Sequence, residues 1–203
     1  MKILFQGDSV TDCNRKYDEY YDLGEGYPKY TAEELRKRFP NKDFEFINRG
    51  VSGDRSKNLV IRLQKDILDI DPDIITLLIG VNDTWRKFDM NDPTTAEEFR
   101  NNYETVLKAI KEKTHAKIVM LECFLVYNKG HESYREDLDA KIDETRLLAM
   151  KYADAYIPTD GILAAAAIGK DANFVSEDGF HPVEGGKKII ASHLADVLSK
   201  FID

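Results

Sequence analysis

The sequence predicts an α/β protein in which a mostly parallel, five-stranded sheet carries helices on both faces. Short apolar runs alternate along the chain with longer stretches whose apolar residues recur at helical spacing. Parallel neighbours need a crossover that a helix supplies, so this alternation favours a parallel sheet. The run at 74–79 is apolar almost throughout, which is typical of a strand buried on both faces. Ligands of such sheets bind at the carboxyl ends of the strands, so we expect functional residues there.

Apolar spacing assigns the individual strands and helices. The strands are predicted at residues 2–6, 44–48, 74–79, 117–123 and 155–158. Helical stripes run over residues 59–70, 99–110, 138–149 and 189–201. Pro72 ends the first helix, Thr94 or Thr95 opens the second, and Pro182 suits the first turn of the last.

Length and composition indicate one compact domain over residues 1–203. Hydrophobic residues make up 42% and charged residues 33%, and no apolar run approaches the roughly 20 residues that cross a bilayer. Neither membrane insertion nor disorder is therefore expected. The 29 basic and 37 acidic side chains give a net charge of −8, which disfavours nucleic acid as a partner.

The amino-terminal apolar run is too short for the hydrophobic region of a signal peptide, because Gln6-Gly7-Asp8 interrupts it. We therefore expect a cytoplasmic protein. Cys13 and Cys123 are expected to be free thiols, since a domain of this size needs no disulfide. The sequence shows no metal-ligand cluster and no cofactor-binding motif, so neither a metal nor a cofactor is expected.

Four polar clusters lie where a parallel sheet exposes its functional edge. Three of them, at residues 7–9, 50–53 and 80–83, directly follow predicted strands, and the fourth, at 178–182, precedes the last helix. Together they supply serine, histidine, aspartate, asparagine and glycine, which are the residue types that acyl transfer uses. The sequence therefore points to an enzyme active site at this edge.

Each chemical role has a suitable candidate in these clusters. Ser9 is the nucleophile, and His181 is the base because it alone among the histidines has a carboxylate three residues earlier in a glycine-containing turn. Asp178 can accept a hydrogen bond from the Nδ1 of His181 and leave Nε2 to face Ser9. The backbone N–H groups of Ser9 and Gly53 and the side-chain amide of Asn82 are the donors for an oxyanion.

Simpler interpretations exist for each cluster taken alone. Gly7-Asp8-Ser9 and the cluster at 80–83 have the composition of ordinary turns, and Asp178 and His181 could cap the last helix. The Tyr-rich segment 17–27 is interpreted as a surface loop that either connects elements or covers a substrate. The conjunction of four clusters with four required roles favours the enzyme.

Other enzyme designs do not fit the sequence. The Gly-x-Ser-x-Gly elbow is excluded because position 11 is threonine and no other serine has that frame. The residues after His131-Glu132 break the His-Glu-x-x-His pattern of a zincin. Gly24-Glu25-Gly26 lacks the third glycine of a dinucleotide fingerprint, and no phosphate-binding loop occurs.

The four clusters resemble the four signature blocks of the SGNH, or GDSL, hydrolase superfamily, in the same order. They are Gly7-Asp8-Ser9-Val10, Gly53, Gly80-Val81-Asn82-Asp83 and Asp178-Gly179-Phe180-His181-Pro182. Val10 departs from the leucine of the family motif without a consequence for mechanism. The resemblance spans residues 7–182 and implies a three-layer α/β/α sandwich of the flavodoxin-like type.

The resemblance also implies ester hydrolysis through an acyl-enzyme, without metal or cofactor. The catalytic residues would be Ser9, Asp178 and His181, and the oxyanion hole would be formed by Ser9, Gly53 and Asn82.

The segments 7–13, 23–27 and 80–86 are most similar to members that remove acetyl groups from xylo-oligosaccharides inside bacterial cells. Trp85 then either presents an aromatic face to a sugar, closes a small acyl pocket, or simply packs. We expect a short-chain esterase acting on a small-molecule or oligosaccharide ester, and a homo-oligomer stays open. The alternatives are a lysophospholipase or thioesterase with longer acyl chains and, in a different class, an inactive carbohydrate-binding module.

Overall fold

The computed structural model describes residues 1–127, 130–170 and 172–202. Within them a single sheet contains five parallel strands in the order β2-β1-β3-β4-β5, which is the flavodoxin-like order. The strands are β1 (Lys2–Gly7), β2 (Glu45–Asn48), β3 (Ile74–Leu78), β4 (Lys117–Leu121) and β5 (Ala155–Ile157). The predicted fold class is confirmed, and the strand bounds differ from the expected ones by one or two residues.

Helices cover both faces of this sheet. They are α1 (Ser9–Asp12), α2 (Tyr27–Arg38), α3 (Ser56–Leu63), α4 (Val81–Asp89), α5 (Ala96–Lys113), α6 (Tyr134–Tyr152), α7 (Thr159–Ala167) and α8 (Glu184–Leu198). A π-helical turn extends α3 to Leu68, and a 3₁₀ turn extends α8 to Phe201. The predicted helix start at Thr95 is correct. The Thr95 hydroxyl accepts a hydrogen bond from the Glu98 N–H, and the Glu98 carboxylate accepts one from the Thr95 N–H.

Alternate residues of the strands pack into two separate hydrophobic cores, one on each face of the sheet. Ile3 and Phe5 of β1 pack with α2 and α8 on one face, whereas Leu4 packs with α3 and α5 on the other. In β3, Ile74 and Leu78 join the first core and Ile75 and Leu77 join the second. The central strand is therefore apolar at every one of these positions, because both of its faces are buried.

Two predicted boundaries are wrong. Pro182 lies before the last helix rather than in its first turn, because it pairs in an isolated β-bridge with Ser176 and α8 begins at Glu184. The loop predicted at 17–27 ends at Gly26, because Tyr27 starts α2 and is buried with its hydroxyl 2.9 Å from the Thr11 hydroxyl.

Two further sequence expectations concern the cysteines and the membrane. Cys13 and Cys123 are both free thiols, as predicted. Across the residues that the structure describes, no helix combines the length and the apolar character that crossing a bilayer requires.

Candidate active site

Ser9 lies at the carboxyl end of β1, where the strand turns into the short helix α1. Asp8 caps that helix by accepting the backbone N–H of Val10 at 3.1 Å, which fixes the turn around the serine. The Ser9 Oγ lies 2.9 Å from the Nε2 of His181, a residue 172 positions away in the chain. The fold therefore brings the predicted nucleophile and base into direct hydrogen-bond contact.

His181 is held in turn by Asp178. Its Nδ1 lies 2.6 Å from Asp178 Oδ2, while Asp178 Oδ1 accepts the backbone N–H groups of Phe180 and His181 at 2.9 and 2.7 Å. The Ser176 hydroxyl donates to the carbonyl of His181 at 2.8 Å and braces the same turn. Asp178 and His181 do not cap α8, since its N-cap is Val183.

The charges of this pair assign the protons. Burial opposes ionisation of Asp178, but the hydrogen bond from His181 and the two backbone N–H groups outweigh it and hold the Asp178 pKa well below its ordinary value. The bond to Asp178 also raises the pKa of His181, against the opposing effect of burial. A carboxylate facing Nδ1 favours the imidazole tautomer with its proton there, which leaves Nε2 free to accept the proton of Ser9.

Gly53 and Asn82 lie together at the turn that follows β2, and the Val51 N–H ties this turn to the Gly7 carbonyl at the end of β1, at 3.1 Å. The turn from Val51 to Asp54 is closed by a hydrogen bond from Asp54 N–H to the Val51 carbonyl at 3.1 Å, and Gly53 occupies its third position with φ +86°. Asn82, in the first turn of α4, donates from Nδ2 to the Asp54 carbonyl at 3.0 Å and is 4% exposed.

That bond uses one of the two amide protons of Asn82 and places the amide against the glycine turn. Within the described ranges of the chain, the backbone N–H groups of Ser9 and Gly53 donate to no protein acceptor. Three donors are thus available at this edge of the sheet.

Two buried carboxyls that the sequence analysis gave no role support the site. Asp83 accepts the backbone N–H and the hydroxyl of Ser56 at 2.9 and 2.7 Å, which ties α4 to the start of α3, and burial raises the Asp83 pKa to about 6. Burial likewise raises the pKa of Asp8 to about 7, although the Val10 N–H acts in the opposite direction. Only the adjacency of these residues to predicted site residues could have pointed to them.

An aromatic wall borders the histidine. The Trp85 ring lies 4.5 Å from the Phe180 ring and 5.8 Å from the His181 ring, between centroids, and His131 lies 5.1 Å from Phe180. Trp85 is half-buried. A cavity of about 10 Å³ lies behind the Ser9 turn, which is room for about one water molecule. Its lining includes Asp8, Val10, Leu78, Val81, Cys123 and Phe180.

The described residues contain no group of three or more histidine, cysteine, aspartate or glutamate side chains arranged to hold a metal ion. The arrangement that is present instead joins a hydroxyl, an imidazole and a carboxylate in series, next to amide donors. Such an arrangement can remove a proton from the hydroxyl and stabilise a developing oxyanion.

Comparison with known proteins places the chain in a family. Residues 5–189 match the GDSL-like Lipase/Acylhydrolase family. An acetylxylan esterase of Geobacillus stearothermophilus is 25% identical over 197 residues, covering 94% of this chain and 90% of that protein. The crystal structure of that organism's Axe2, an acetylxylan esterase, superposes with a TM-score of 0.88 at 23% identity, covering 100% of this chain and 94% of the other.

A protein of Parabacteroides merdae described as a GDSL-like lipase superposes with a TM-score of 0.93 at 29% identity, covering 98% of this chain and 95% of the other. The family match spans nearly the whole chain and includes all four polar clusters predicted from the sequence. The chain belongs to the GDSL-like lipase/acylhydrolase family and is a carboxylic ester hydrolase.

Proposed function

We propose that this hydrolase uses Ser9, His181 and Asp178 as a catalytic triad to remove short acyl groups, acetyl above all, from carbohydrate esters such as acetylated xylo-oligosaccharides. The observation that carries the proposal is the continuous series from Ser9 Oγ through the His181 ring to Asp178, with distances of 2.9 and 2.6 Å. These are hydrogen-bond distances suited to moving a proton from the hydroxyl to the imidazole.

The first half of the reaction forms an acyl-enzyme. His181 Nε2 takes the Ser9 proton while Oγ attacks the ester carbonyl carbon. The carbonyl oxygen becomes an oxyanion and accepts hydrogen bonds from the N–H groups of Ser9 and Gly53 and from the Asn82 amide. The tetrahedral intermediate then collapses, the bond to the alcohol breaks, and the alcohol oxygen leaves with the proton held by His181.

The second half regenerates the enzyme. His181 takes a proton from a water molecule, which attacks the acyl carbon, and the same donors stabilise the second oxyanion. Collapse of this intermediate releases the carboxylic acid and returns the proton to Ser9. Asp178 keeps its negative charge throughout and stabilises the imidazolium in both halves.

Two observations support a short acyl group and a carbohydrate alcohol. The Trp85 ring lies 4.5 Å from the Phe180 ring and 5.8 Å from the His181 ring, between centroids, so aromatic side chains restrict the space beside the proposed base. The similarity to an acetylxylan esterase supports a sugar ester as substrate. Trp85 would either limit the acyl pocket or receive a sugar face, because an aromatic ring can do both.

Ester hydrolysis by purified protein tests the triad. We expect Ser9→Ala to lower p-nitrophenyl acetate turnover by a factor on the order of 10⁶, because the triad acts as a unit. Ser192→Ala, which changes an exposed serine on α8, serves as the matched control and should keep wild-type turnover. Equal rates in wild type and Ser9→Ala would overturn the proposed serine mechanism, and only if both rates were that of the uncatalysed reaction would they favour a binding module.

A substrate panel tests the specificity. We expect acetate release from acetylated xylo-oligosaccharides, and a falling kcat/KM from acetyl through butyryl to octanoyl p-nitrophenyl esters. A preference for octanoyl would instead indicate a lysophospholipase or thioesterase type of substrate. Homo-oligomer formation and a cytoplasmic location stay predictions from the sequence.

A further inference from the structure

Asp12 is a buried carboxylate that the mechanism above does not use. It is the last residue of α1, the same short helix that begins with Ser9, and is 3% exposed. Its Oδ2 accepts three hydrogen bonds, from the backbone N–H of Ser52 at 2.9 Å, from the Ser52 hydroxyl at 2.6 Å and from the Tyr17 hydroxyl at 2.6 Å. The carboxylate therefore binds two separate loops to the helix of the nucleophile.

The residue that Asp12 holds directly precedes Gly53 in the Val51–Asp54 turn. Gly53 has φ +86°, whereas Ser52 is not among the residues with positive φ, and this combination defines a type II turn. In a type II turn the central peptide is turned over relative to a type I turn. That central peptide joins Ser52 to Gly53 and carries the Gly53 N–H, so the turn type decides where this donor points.

The loop approaches α1 too closely for a side chain at Gly50. A Cβ there would lie 2.3 Å from the Asp12 nitrogen, so the backbones of the loop and the helix are in contact two residues before Ser52. Asn48 adds two anchors, donating to the Thr11 carbonyl at 2.7 Å and accepting the Gly50 N–H at 2.8 Å. The Ser52–Gly53 peptide is thus fixed relative to Ser9 by contacts that converge on the end of α1.

We propose that Asp12 is a positioning residue of the oxyanion hole, which holds the Ser52–Gly53 peptide so that the Gly53 N–H points at the carbonyl oxygen of the ester attacked by Ser9. The inference rests on the proposed serine mechanism. Because Ser9 and Asp12 belong to one helical turn, the nucleophile and this donor are set by a single rigid unit. Tyr17, in the loop between α1 and α2, completes the arrangement by donating its hydroxyl to the same carboxylate oxygen.

A positioning role has a kinetic signature that a purely structural role lacks. Asp12→Asn keeps the shape of the side chain, but its single oxygen cannot replace both carboxylate oxygens. Oδ2 accepts the Ser52 and Tyr17 donors and Oδ1 accepts the Arg15 N–H at 3.3 Å, so the amide NH₂ meets a donor in either orientation and the negative charge is lost. A misdirected Gly53 N–H weakens binding of the oxyanion and leaves binding of the ground-state ester nearly unchanged. The loss should therefore fall on kcat and spare KM.

The experiment measures kcat and KM for p-nitrophenyl acetate. We expect Asp12→Asn to lower kcat by about 10- to 100-fold, within the range for one oxyanion donor, and to change KM by less than about threefold. Ser52→Ala and Tyr17→Phe each remove one donor from the carboxylate and should lower kcat by at least about twofold. Asp18→Asn, a change of an exposed carboxyl on the same loop, is the control and should match wild type.

A double-mutant cycle identifies the donor through which Asp12 acts. In the Asp12→Asn background, Gly53→Ala should lower kcat/KM only slightly further. Asn82→Ala should lower kcat/KM by the same factor in this background as in the wild type. Affinity for a boronic acid, which forms a tetrahedral adduct with a serine, should fall by about the same factor as kcat/KM.

Independent, multiplying effects of Asp12→Asn and Gly53→Ala would overturn the inference. So would wild-type kcat in Asp12→Asn or, if that variant does not fold, in both Ser52→Ala and Tyr17→Phe. Each of these results would leave the serine mechanism intact, provided that turnover still depends on Ser9. Turnover that does not depend on Ser9 would instead overturn the proposed function itself.

Discussion

In the proposed triad, the hydrogen bond between Asp178 and His181 sets the pH at which Ser9 can be activated. Only the neutral imidazole accepts the serine proton, so activity requires a pH above the His181 pKa. The bond to Asp178 raises that pKa above the ordinary value of 6.5. Activity should therefore be lost as the pH falls through a midpoint higher than that of an isolated histidine.

The pH dependence of kcat/KM checks this shift. We expect a rise with pH through a midpoint above 6.5, and a lower midpoint in Asp178→Asn, whose kcat should fall by a factor on the order of 10⁴. Asp8 has a pKa of about 7 and titrates nearby, so Asp8→Asn is the necessary comparison. A midpoint that disappears in Asp8→Asn but persists in Asp178→Asn would assign the titration to Asp8 instead.

Glycine is required at position 53 by the backbone conformation, and not because a side chain there would clash with a neighbour. A Cβ at this position would contact only the Arg86 Nη2, at an ordinary 3.8 Å, but φ +86° is strained for any residue with a side chain. We expect Gly53→Ala to lower kcat by roughly 10²-fold with the fold retained, because the turn relaxes and its N–H leaves the oxyanion. Kinetics with circular dichroism test this, and unchanged kcat would remove Gly53 from the site.

A residue's role can be predicted from the sequence when the reaction requires a particular residue type. A serine, a histidine with a nearby aspartate, and an amide are recognisable because each follows a strand or precedes a helix. The expected contact of Ser9 with His181 is present at 2.9 Å, and the role of Asn82 stays a prediction. Asp12 could not be recognised in this way. Its role depends on a contact with Ser52, 40 positions away, which exists only once the loop packs on α1.

Strands were easier to predict than helices at the scale of elements, because a buried parallel strand must be apolar on both faces. The helices α1, α2, α4 and α7 were not predicted. The first turn of α4 consists of Val81-Asn82-Asp83-Thr84, which has the composition of a turn, and α7 ends in a run of alanines without an amphipathic stripe. In α2 the signals were present, with Pro28 in the first turn and Arg36, Lys37 and Arg38 in the last.

The placement of α4, which carries Asn82 and Trp85, depends on its contacts with Asp137 of α6, whose carboxylate also pairs with the buried Lys141 of the same helix. Lys141 is 1% exposed and its ammonium bonds the Asp137 carboxylate, which also accepts Thr84 Oγ1 and Lys87 Nζ of α4, each at 2.9 Å. Removing Asp137 leaves a buried, unpaired ammonium, whereas removing the Lys141 charge leaves Asp137 with two partners. Removing Asp137 should therefore lower the free energy of unfolding more than removing the charge of Lys141.

Urea unfolding tests this asymmetry. Asp137→Ala should lower the free energy of unfolding by about 3–5 kcal/mol, the usual cost of stranding one member of a buried pair. Lys141→Met, which keeps the apolar stem, should cost markedly less. A larger loss in Lys141→Met than in Asp137→Ala would contradict this account of how α4 and α6 are joined.

At the scale of the whole molecule, the proposed active site combines residues from near both ends of the sequence. Ser9 follows the first strand and His181 precedes the last helix, yet their side chains are 2.9 Å apart. Both cores lie on the same five-stranded sheet, and α2 packs against α8, so neither end has a core of its own. We propose on this basis that residues 1–203 form one domain that folds as a unit.

Calorimetry checks the proposal in two steps. One transition should account for the whole unfolding enthalpy, because separating either end exposes apolar surface of a shared core. A boronic acid that bonds Ser9 and contacts the 176–182 turn binds only when both ends are in place, so at about 100 times its Kd it should raise Tm by roughly 5–10 °C. Two resolved transitions, with only one shifted by the inhibitor, would show that the ends unfold separately and that the site is assembled between two domains.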